Sequence, residues 1–170
     1  MSSLIKGPAM VLGPEDGESY WQPGPHHGYM TVKISPRNHP SNQFSMGTQV
    51  IPPGCHVRSH GHGRNDEVLF IYAGTGHCVI DGETCAIEPG STVVLGRYVE
   101  HSIHNDGPDE MKFFWVFTPP GLEHVIEYTG RPRKPGEAPP ERFERPAEMA
   151  RILEKAGYAT PEEIRASRKV

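Results

Sequence analysis

Residues 54–74, GCHVRSHGHGRNDEVLFIYAG, decide the fold prediction because they combine metal-ligand side chains with a strand-forming pattern. His60 and His62 are two residues apart, and residues i and i+2 of a β-strand share a face. Both imidazoles can therefore point toward one position. Glu67 opens the next apolar run, VLFIY, and can reach the same position from a second strand. Neutral imidazoles together with a carboxylate suit a divalent transition metal.

A second stretch, residues 90–105, reads GSTVVLGRYVEHSIHN and supplies a fourth candidate ligand after a short run of β-forming residues. The two stretches resemble the two sequence motifs of the cupin family. The resemblance departs at Gly96, where the family usually has proline, and at Tyr98, where it usually has glycine. Both are turn positions, so the departures concern loop shape more than the metal site. The positions that match are Gly54, His60, His62, Glu67 and Gly74 in the first motif and Gly90, His101 and Asn105 in the second.

The resemblance covers the chain from the forties to about Thr118 and implies an all-β cupin fold, the double-stranded β-helix or jelly-roll barrel. The strand pattern favours the same class, because many short β-forming runs separated by turns are typical of a barrel or a double-sheet jelly roll. One of these turns, Asp81-Gly82, predicts a two-residue hairpin that pairs Cys78 with Cys85. We expect both cysteines to be free thiols.

Three regions are predicted along the chain. Residues 1–28 form an extended N-terminal arm, residues 29–120 form the barrel, and residues 121–170 form a proline-rich segment with short C-terminal helices that pack on the barrel. The helices are expected from Pro146 to Ala156 and after Thr160, which begins a capping box. The adjacent pair His26-His27 lies among prolines and glycines and is predicted to be a solvated loop.

Composition limits the class of function. The chain has 170 residues, enough for one domain with a full core, and its 19 glycines and 18 prolines indicate a loop-rich β protein. The net charge is −4 without a basic block, which argues against nucleic acid or an anionic membrane as partner. No apolar run approaches the roughly 20 residues of a membrane span, and the N-terminus lacks a signal-peptide stretch. We expect a cytoplasmic protein.

The resemblance implies a metal held by His60, His62, Glu67 and His101, with Glu67 also a candidate general base. If β-structure is regular from His56, then His56 and Arg58 share the face of His60, and Arg58 can hold a substrate anion. The alternative is that Arg58 is a solvated residue at the rim. His104 and Glu100 have the opposite parity to His101, so neither is expected to be a ligand.

The ligand set is similar to that of the quercetin-dioxygenase-like and oxalate-degrading branches of the family. The expected function is a metal-dependent dioxygenase acting on a small phenolic or enolic compound, with dioxygen as co-substrate. Two alternatives remain open: a redox-neutral isomerase, decarboxylase or lyase, and a non-catalytic ligand-binding protein. Iron is the first candidate metal, and manganese, nickel, cobalt, copper and zinc also accept these ligands. The cavity walls are expected to be apolar, from Leu69, Ile71, Ile103 and residues 113–117, and outward aromatic residues predict a homodimer.

Overall fold

The structure, a computed structural model, describes residues 7–40 and 43–168; the first six residues of the predicted arm lie outside this range. Within the described residues the chain forms eleven strands and three short helices. The strands are β1 (Glu18–Trp21), β2 (Tyr29–Ile34), β3 (Ser45–Ile51), β4 (His56–His60), β5 (Asp66–Ala73), β6 (Gly76–Ile80), β7 (Glu83–Ile87), β8 (Thr92–Leu95), β9 (His101–Asn105), β10 (Met111–Thr118) and β11 (Arg131–Pro132). The helices are α1 (Glu123–Thr129), α2 (Met149–Ala156) and α3 (Pro161–Ser167).

Two antiparallel sheets form the barrel. In the described chain, the larger sheet has seven strands in the order β11-β1-β2-β3-β10-β5-β8, and the smaller has four in the order β4-β9-β6-β7. Burial alternates along β10, so that Phe113, Trp115 and Phe117 point into the core while Phe114 and Val116 point outward. This period of two lets each sheet present one apolar face to the other. The predicted all-β double-stranded β-helix is confirmed.

Turns at the ends of the strands follow the sequence prediction. Asp81 and Gly82 both have positive φ, 49° and 92°, as a two-residue hairpin requires, and Cys78 is the Cα partner of Cys85. The thiols of both cysteines are free. Gly74 has a φ of 77°, and a Cβ there would lie 2.5 Å from Met111 Cα, so glycine is needed on both grounds.

The residues after the barrel fold back onto it. Helix α1 buries Leu122, Val125 and Ile126 against the core. Helix α2 ends at Gly157, whose φ of 86° is the left-handed conformation of a C-cap, and α3 begins with the predicted capping box of Thr160 and Glu163. The barrel, the arm and the helical tail remain predictions as domains, although part of the arm, β1, hydrogen-bonds to β2 in the larger sheet. In the part of the chain that is described, no helix is both long and apolar enough to cross a membrane.

Candidate metal centre

Two of the candidate ligands face each other across the smaller sheet. His60 is the last residue of β4 and His101 is the first of β9, and the two are Cα partners. Side chains of directly opposed residues leave a sheet on the same face, so both rings enter the barrel. Their ring centroids lie 4.2 Å apart.

The other two candidates come from the loop and strand that follow. His62 lies beyond β4, where its backbone forms an isolated bridge with Tyr158. Glu67 is the second residue of β5, and the alternation of that strand points it inward together with Leu69 and Ile71. His62 Nε2 lies 3.1 Å from Glu67 Oε2, which brings the second pair to the first.

The four side chains therefore form one cluster, called here the His3Glu cluster: His60, His62, Glu67 and His101. One ligand atom from each lies within 4.8 Å of the other three. Metal bonds to these atoms measure about 2.0–2.2 Å, so ligands on opposite sides of one ion are about 4.4 Å apart at most. The cluster needs to contract by only a few tenths of an ångström to meet that geometry. His62 and His101 are both 1% exposed, so bulk water does not separate the ligands.

Hydrogen bonds set the tautomers of two of the histidines. The ring Nδ1 of His60 lies 2.8 Å from the carbonyl oxygen of Arg58, and Nδ1 of His101 lies 3.0 Å from that of Val99. A carbonyl oxygen only accepts, so each Nδ1 carries a proton and donates it. In the neutral rings, Nε2 then holds the lone pair and faces the cluster. A backbone carbonyl behind a metal-binding imidazole is the usual orienting contact.

Electrostatics inside the cluster also fit a cation. Burial alone would raise the pKa of Glu67, but the close imidazoles of His101 and His62 outweigh it and hold the pKa well below its usual range. Burial and the neighbouring imidazoles lower the pKa of His60 well below its ordinary value. The contact with Glu67 outweighs burial and raises the pKa of His101.

The contact between His101 Nε2 and Glu67 Oε2 is the most direct indication of a cation site. These atoms lie 3.1 Å apart, and Nε2 is buried without a hydrogen-bond partner. An ionised carboxylate and a nitrogen lone pair at this distance repel each other, and a cation at this place, either a proton or a metal ion, removes the repulsion. The donor set and its orphaned atom therefore fit a divalent metal.

A bulge in β4 breaks the regular strand from His56, which was one of the two alternatives that the sequence left open. The pairing of β4 with β9 shifts register between Val57 and His60, so residues before and after the shift do not share a face. His56 instead lies on the outer face, where its ring stacks on His104 at 5.0 Å. The outward direction predicted for His104 is confirmed. Arg58 lies at the bulge, exposed on one side and lining the cavity beside the cluster on the other.

A cavity of about 160 Å³ opens beside the His3Glu cluster. Ile103 and Phe117 line it as the sequence predicts, whereas Leu69 and Ile71 pack in the core and do not. The expectation of an apolar cavity was therefore only half right. Its polar lining is Gln22, His26, Gln49, Arg58, Ser59, His60, Glu67, Thr129, Arg145 and Tyr158.

Among the cavity residues that the sequence analysis missed, three bear directly on the site. Tyr158 stacks on His60 at 5.4 Å and meets His62 edge-on at 4.9 Å, so it covers the cluster. Arg145 reaches the cavity from the proline-rich segment. His26 is 6% exposed and contacts the Val50 carbonyl oxygen at 3.1 Å, which corrects the predicted solvated loop. None of the three lies in a recognisable sequence motif. The local signal that could have indicated one of them is the aromatic residue Tyr158 in the short connection between α2 and α3.

Comparison with known proteins agrees with this architecture. Residues 47–117 match the family model described as "Cupin domain". A curated relative from Streptomyces cyaneus, "Polyketide synthase CurC", is 24% identical over 112 residues, which are 54% of this chain and 73% of that protein. "Uncharacterized protein MJ1618" of Methanocaldococcus jannaschii is 26% identical over 76 residues, 45% of this chain and 61% of that protein.

Solved structures show the fold more completely. A "predicted oxalate decarboxylase" from Thermotoga maritima has a TM-score of 0.59 and 22% identity, covering 65% of this chain and 100% of that one. A "sugar phosphate isomerase from a cupin superfamily" from Silicibacter pomeroyi has a TM-score of 0.57 and 18% identity, covering 66% and 77%. At these identities the likeness concerns the fold alone.

The two sheets and the enclosed His3Glu cluster define a small barrel protein with a candidate metal centre inside. Residues 47–117 match the cupin domain, and the fold of the chain is the cupin double-stranded β-helix.

Proposed function

We propose that this protein is a metal-dependent enzyme that acts on a small molecule in the cavity beside the His3Glu cluster. One observation carries the proposal: four convergent ligand atoms lie within 4.8 Å of one another at the wall of a cavity. His60, His62, Glu67 and His101 would hold the metal. A purely structural metal site is closed by protein ligands, whereas a catalytic site faces a space for substrate.

A bound divalent metal would act as a Lewis acid on a substrate oxygen and, if it is redox-active, would bring dioxygen and substrate together. Iron is the proposed metal, with manganese, nickel, cobalt, copper and zinc as alternatives that the same donors accept. Elemental analysis will identify the metal, because coordination geometry and metal availability decide which ion binds more than the ligand types do.

The proposed reaction is dioxygenation of a small phenolic or enolic compound, as in the quercetin-dioxygenase-like branch that the motifs resemble. Ile103 and Phe117 provide apolar surface for the carbon skeleton, and Arg58 at the rim would hold a negatively charged oxygen. Glu67 would be a metal ligand, and as the one carboxylate among the described residues that line the cavity it is also the candidate general base. Tyr158 covers two of the ligand rings and would exclude water from the site.

A redox-neutral reaction, such as isomerisation or decarboxylation, is the second candidate, and Tyr158 favours it. Burial, with a smaller contribution from the charge of Glu67, raises the pKa of Tyr158 above its ordinary value. Its phenol therefore stays protonated near neutral pH and can donate a proton or hydrogen bond to a substrate in the cavity. Isomerisation and decarboxylation both require proton transfer to a carbon or oxygen atom of the substrate, which such a donor can supply.

Elemental analysis of the purified protein tests the metal centre. We expect about one transition metal per chain, and loss of most of it in His62→Ala and in His101→Ala because each removes a ligand. The matched control is His104→Ala, which removes an imidazole from the outer face of the same sheet and should retain the metal. A full metal complement in His62→Ala would show that the cluster is not the metal site.

Oxygen uptake separates the two reactions. A dioxygenase places both atoms of dioxygen in the product without an external reductant, so uptake should equal the substrate consumed, mole for mole. Turnover of a phenolic or enolic substrate with no oxygen uptake would favour redox-neutral chemistry, and Tyr158→Phe should then lower kcat more than it changes metal content. Ligand binding without turnover in the metal-loaded protein would instead indicate a binding protein.

Compartment and assembly are also proposed from particular residues. The three cysteines are free, which fits the reducing cytoplasm. On the outer face of the larger sheet, Phe70 and Phe114 stack at 5.3 Å, and Tyr72 and Val94 are 45% and 71% exposed. A contiguous apolar sheet face of this kind is typical of a protein interface, so we keep the homodimer as the proposed assembly.

A further inference from the structure

The proline-rich segment between β11 and α2 returns the chain to the mouth of the barrel. Phe143 fixes it there: its carbonyl oxygen accepts a hydrogen bond of 3.1 Å from the backbone N–H of Gly24, and its ring lies 4.2 Å from the Arg131 guanidinium. Arg145, two residues further on, enters the cavity beside the His3Glu cluster. The segment is thus anchored to the N-terminal arm and delivers one cationic side chain.

The charge of Arg145 is unpaired in the part of the chain that the structure describes. Its Nε is buried without a hydrogen bond, and among the described residues its guanidinium forms no ion pair. The charged group that acts on it most strongly is a second cation, Arg58; burial and then this neighbour lower the pKa of Arg145. A guanidinium remains charged at neutral pH all the same, so the cavity holds two cations that repel each other.

The charge of the cavity differs in sign from that of the whole protein. The chain carries a net charge of −4, whereas the cavity is lined by two arginines and one carboxylate, Glu67. That carboxylate belongs to the His3Glu cluster and is already in contact with His62 and His101. A metal in the cluster would make the cavity still more positive. A partly buried cation without a counter-charge is unfavourable, so an anion that enters the cavity relieves the repulsion between the two arginines.

From this arrangement we infer that Arg145 and Arg58 form a carboxylate-binding site and that the substrate is a small carboxylic acid. The carboxylate lies between the two guanidinium groups, each of which presents a planar fork of N–H donors that matches a carboxylate. The remainder of the ligand points toward the cluster. The part of the ligand that faces the His3Glu cluster has a role only if the proposed function is correct. The carboxylate-binding site itself requires no metal.

Size restricts the ligand further. The cavity volume of about 160 Å³ is close to that of a buried cavity of about 150 Å³ that accepts benzene, and far below the roughly 300–1,000 Å³ of pockets for drug-sized ligands. A single ring or a short chain with one carboxylate fits this space. A flavonoid-sized compound exceeds this volume.

The test uses two probes of equal size, benzoate and benzyl alcohol, with the metal-free full-length protein. Isothermal titration calorimetry at low salt should show benzoate binding at least tenfold more tightly than benzyl alcohol, because only benzoate carries the charge. Arg145→Gln should weaken benzoate binding about tenfold or more, the usual effect of losing a charge-assisted hydrogen bond. Arg58→Gln should weaken it less, because Arg58 is exposed to water.

The matched control is Arg142→Gln, which removes an exposed arginine from the same segment and should change benzoate affinity less than twofold. Arg145→Lys keeps the positive charge but lacks the planar guanidinium group, and it should bind benzoate with intermediate affinity. Such a graded loss would show that the weaker binding of Arg145→Gln reflects the lost interaction and not a folding defect. Equal affinity for the two probes, or unchanged benzoate affinity in a folded Arg145→Gln, would overturn the inference. Tighter binding of inorganic phosphate than of benzoate would overturn the assignment to a carboxylate.

The outcome is independent of the metal proposal. His101→Ala should lose metal and still bind benzoate, whereas Arg145→Gln should lose benzoate binding and keep the metal. A protein that binds no metal but retains Arg145-dependent benzoate binding would refute the proposed enzyme and support the anion site. A protein that binds one metal per chain but binds benzoate and benzyl alcohol equally well would support the metal centre and refute the anion site.

Discussion

A buried histidine beside the cavity, His26, should make this protein less stable as the pH falls below 6.5. Burial, helped by the charge of Arg145, lowers the pKa of His26 from 6.5 to about 3. Between these two values the unfolded chain binds a proton that the folded protein does not. The stability that comes from keeping His26 neutral is therefore fully present above pH 6.5 and is lost progressively as the pH falls toward 3.

The size of the effect follows from the shift. One pKa unit corresponds to about 1.4 kcal/mol, so the full loss by pH 3 is about 5 kcal/mol and the loss between pH 7.5 and pH 5.0 is about 2 kcal/mol. Glutamine at position 26 is neutral at every pH and escapes this loss. At pH 7.5, however, it replaces the buried ring that contacts the Val50 carbonyl oxygen at 3.1 Å by a flexible side chain that loses more conformational entropy on folding, at a cost of about 1 kcal/mol.

His26→Gln should therefore be less stable than the wild type by about 1 kcal/mol at pH 7.5 and more stable by about 1 kcal/mol at pH 5.0, with the two curves crossing near pH 6. Urea unfolding of both metal-free proteins, followed by the fluorescence of the buried Trp21 and Trp115, measures the difference. His124→Gln, at an exposed position of α1, is the control and should stay within about 0.5 kcal/mol of the wild type at both pH values. A stability difference between His26→Gln and the wild type that is the same at the two pH values would refute the reasoning.

Two further predictions concern the tail and the outer sheet face. Ending the chain at Thr118 removes Leu122, Val125 and Ile126, each worth about 1.5–3 kcal/mol when buried, so the truncated barrel should lose cooperative thermal unfolding; an unchanged Tm would show the tail to be dispensable. Light scattering should give twice the chain mass of 18.8 kDa for the wild type and once that mass for Val94→Glu, because a carboxylate on the dimer face would be buried unpaired. The control is Val11→Glu, at a side chain that is 97% exposed, which should remain a dimer. A monomeric wild type would refute the dimer proposal.

The sequence predicts the centre of this site well because local rules determine it. Strand alternation explains why Glu67 points inward, and the short run before His101 places that residue at the start of a strand. The Asp81-Gly82 turn sets the register of the hairpin through its φ values alone. In each case the signal lies within a few residues of the feature that it predicts.

Prediction fails where the structure depends on distant contacts. The bulge in β4 changes the face of His56, and no residue type in HVRSH announces it. The burial of His26 requires the N-terminal arm to lie against β3, at the carbonyl oxygen of Val50. Tyr98 has a φ of 66°, the left-handed conformation for which the family usually has glycine, and its backbone N–H donates a hydrogen bond of 2.8 Å to the His62 carbonyl oxygen. Tertiary contact overrides the local preference at all three places.

The division of the site between barrel and tail explains why motifs alone cannot name the substrate. The His3Glu cluster comes from strands β4, β5 and β9 and the loop after β4, and it sets which chemistry a bound metal could perform. Arg145 and Tyr158 come from the segments after Thr118, outside the residues that match the family model, and they set the charge and the cover of the cavity. A protein with the same barrel residues and a different tail would keep the metal donors but would present a different cavity wall. For that reason, substrate preference in this chain should follow Arg145 rather than the ligand set.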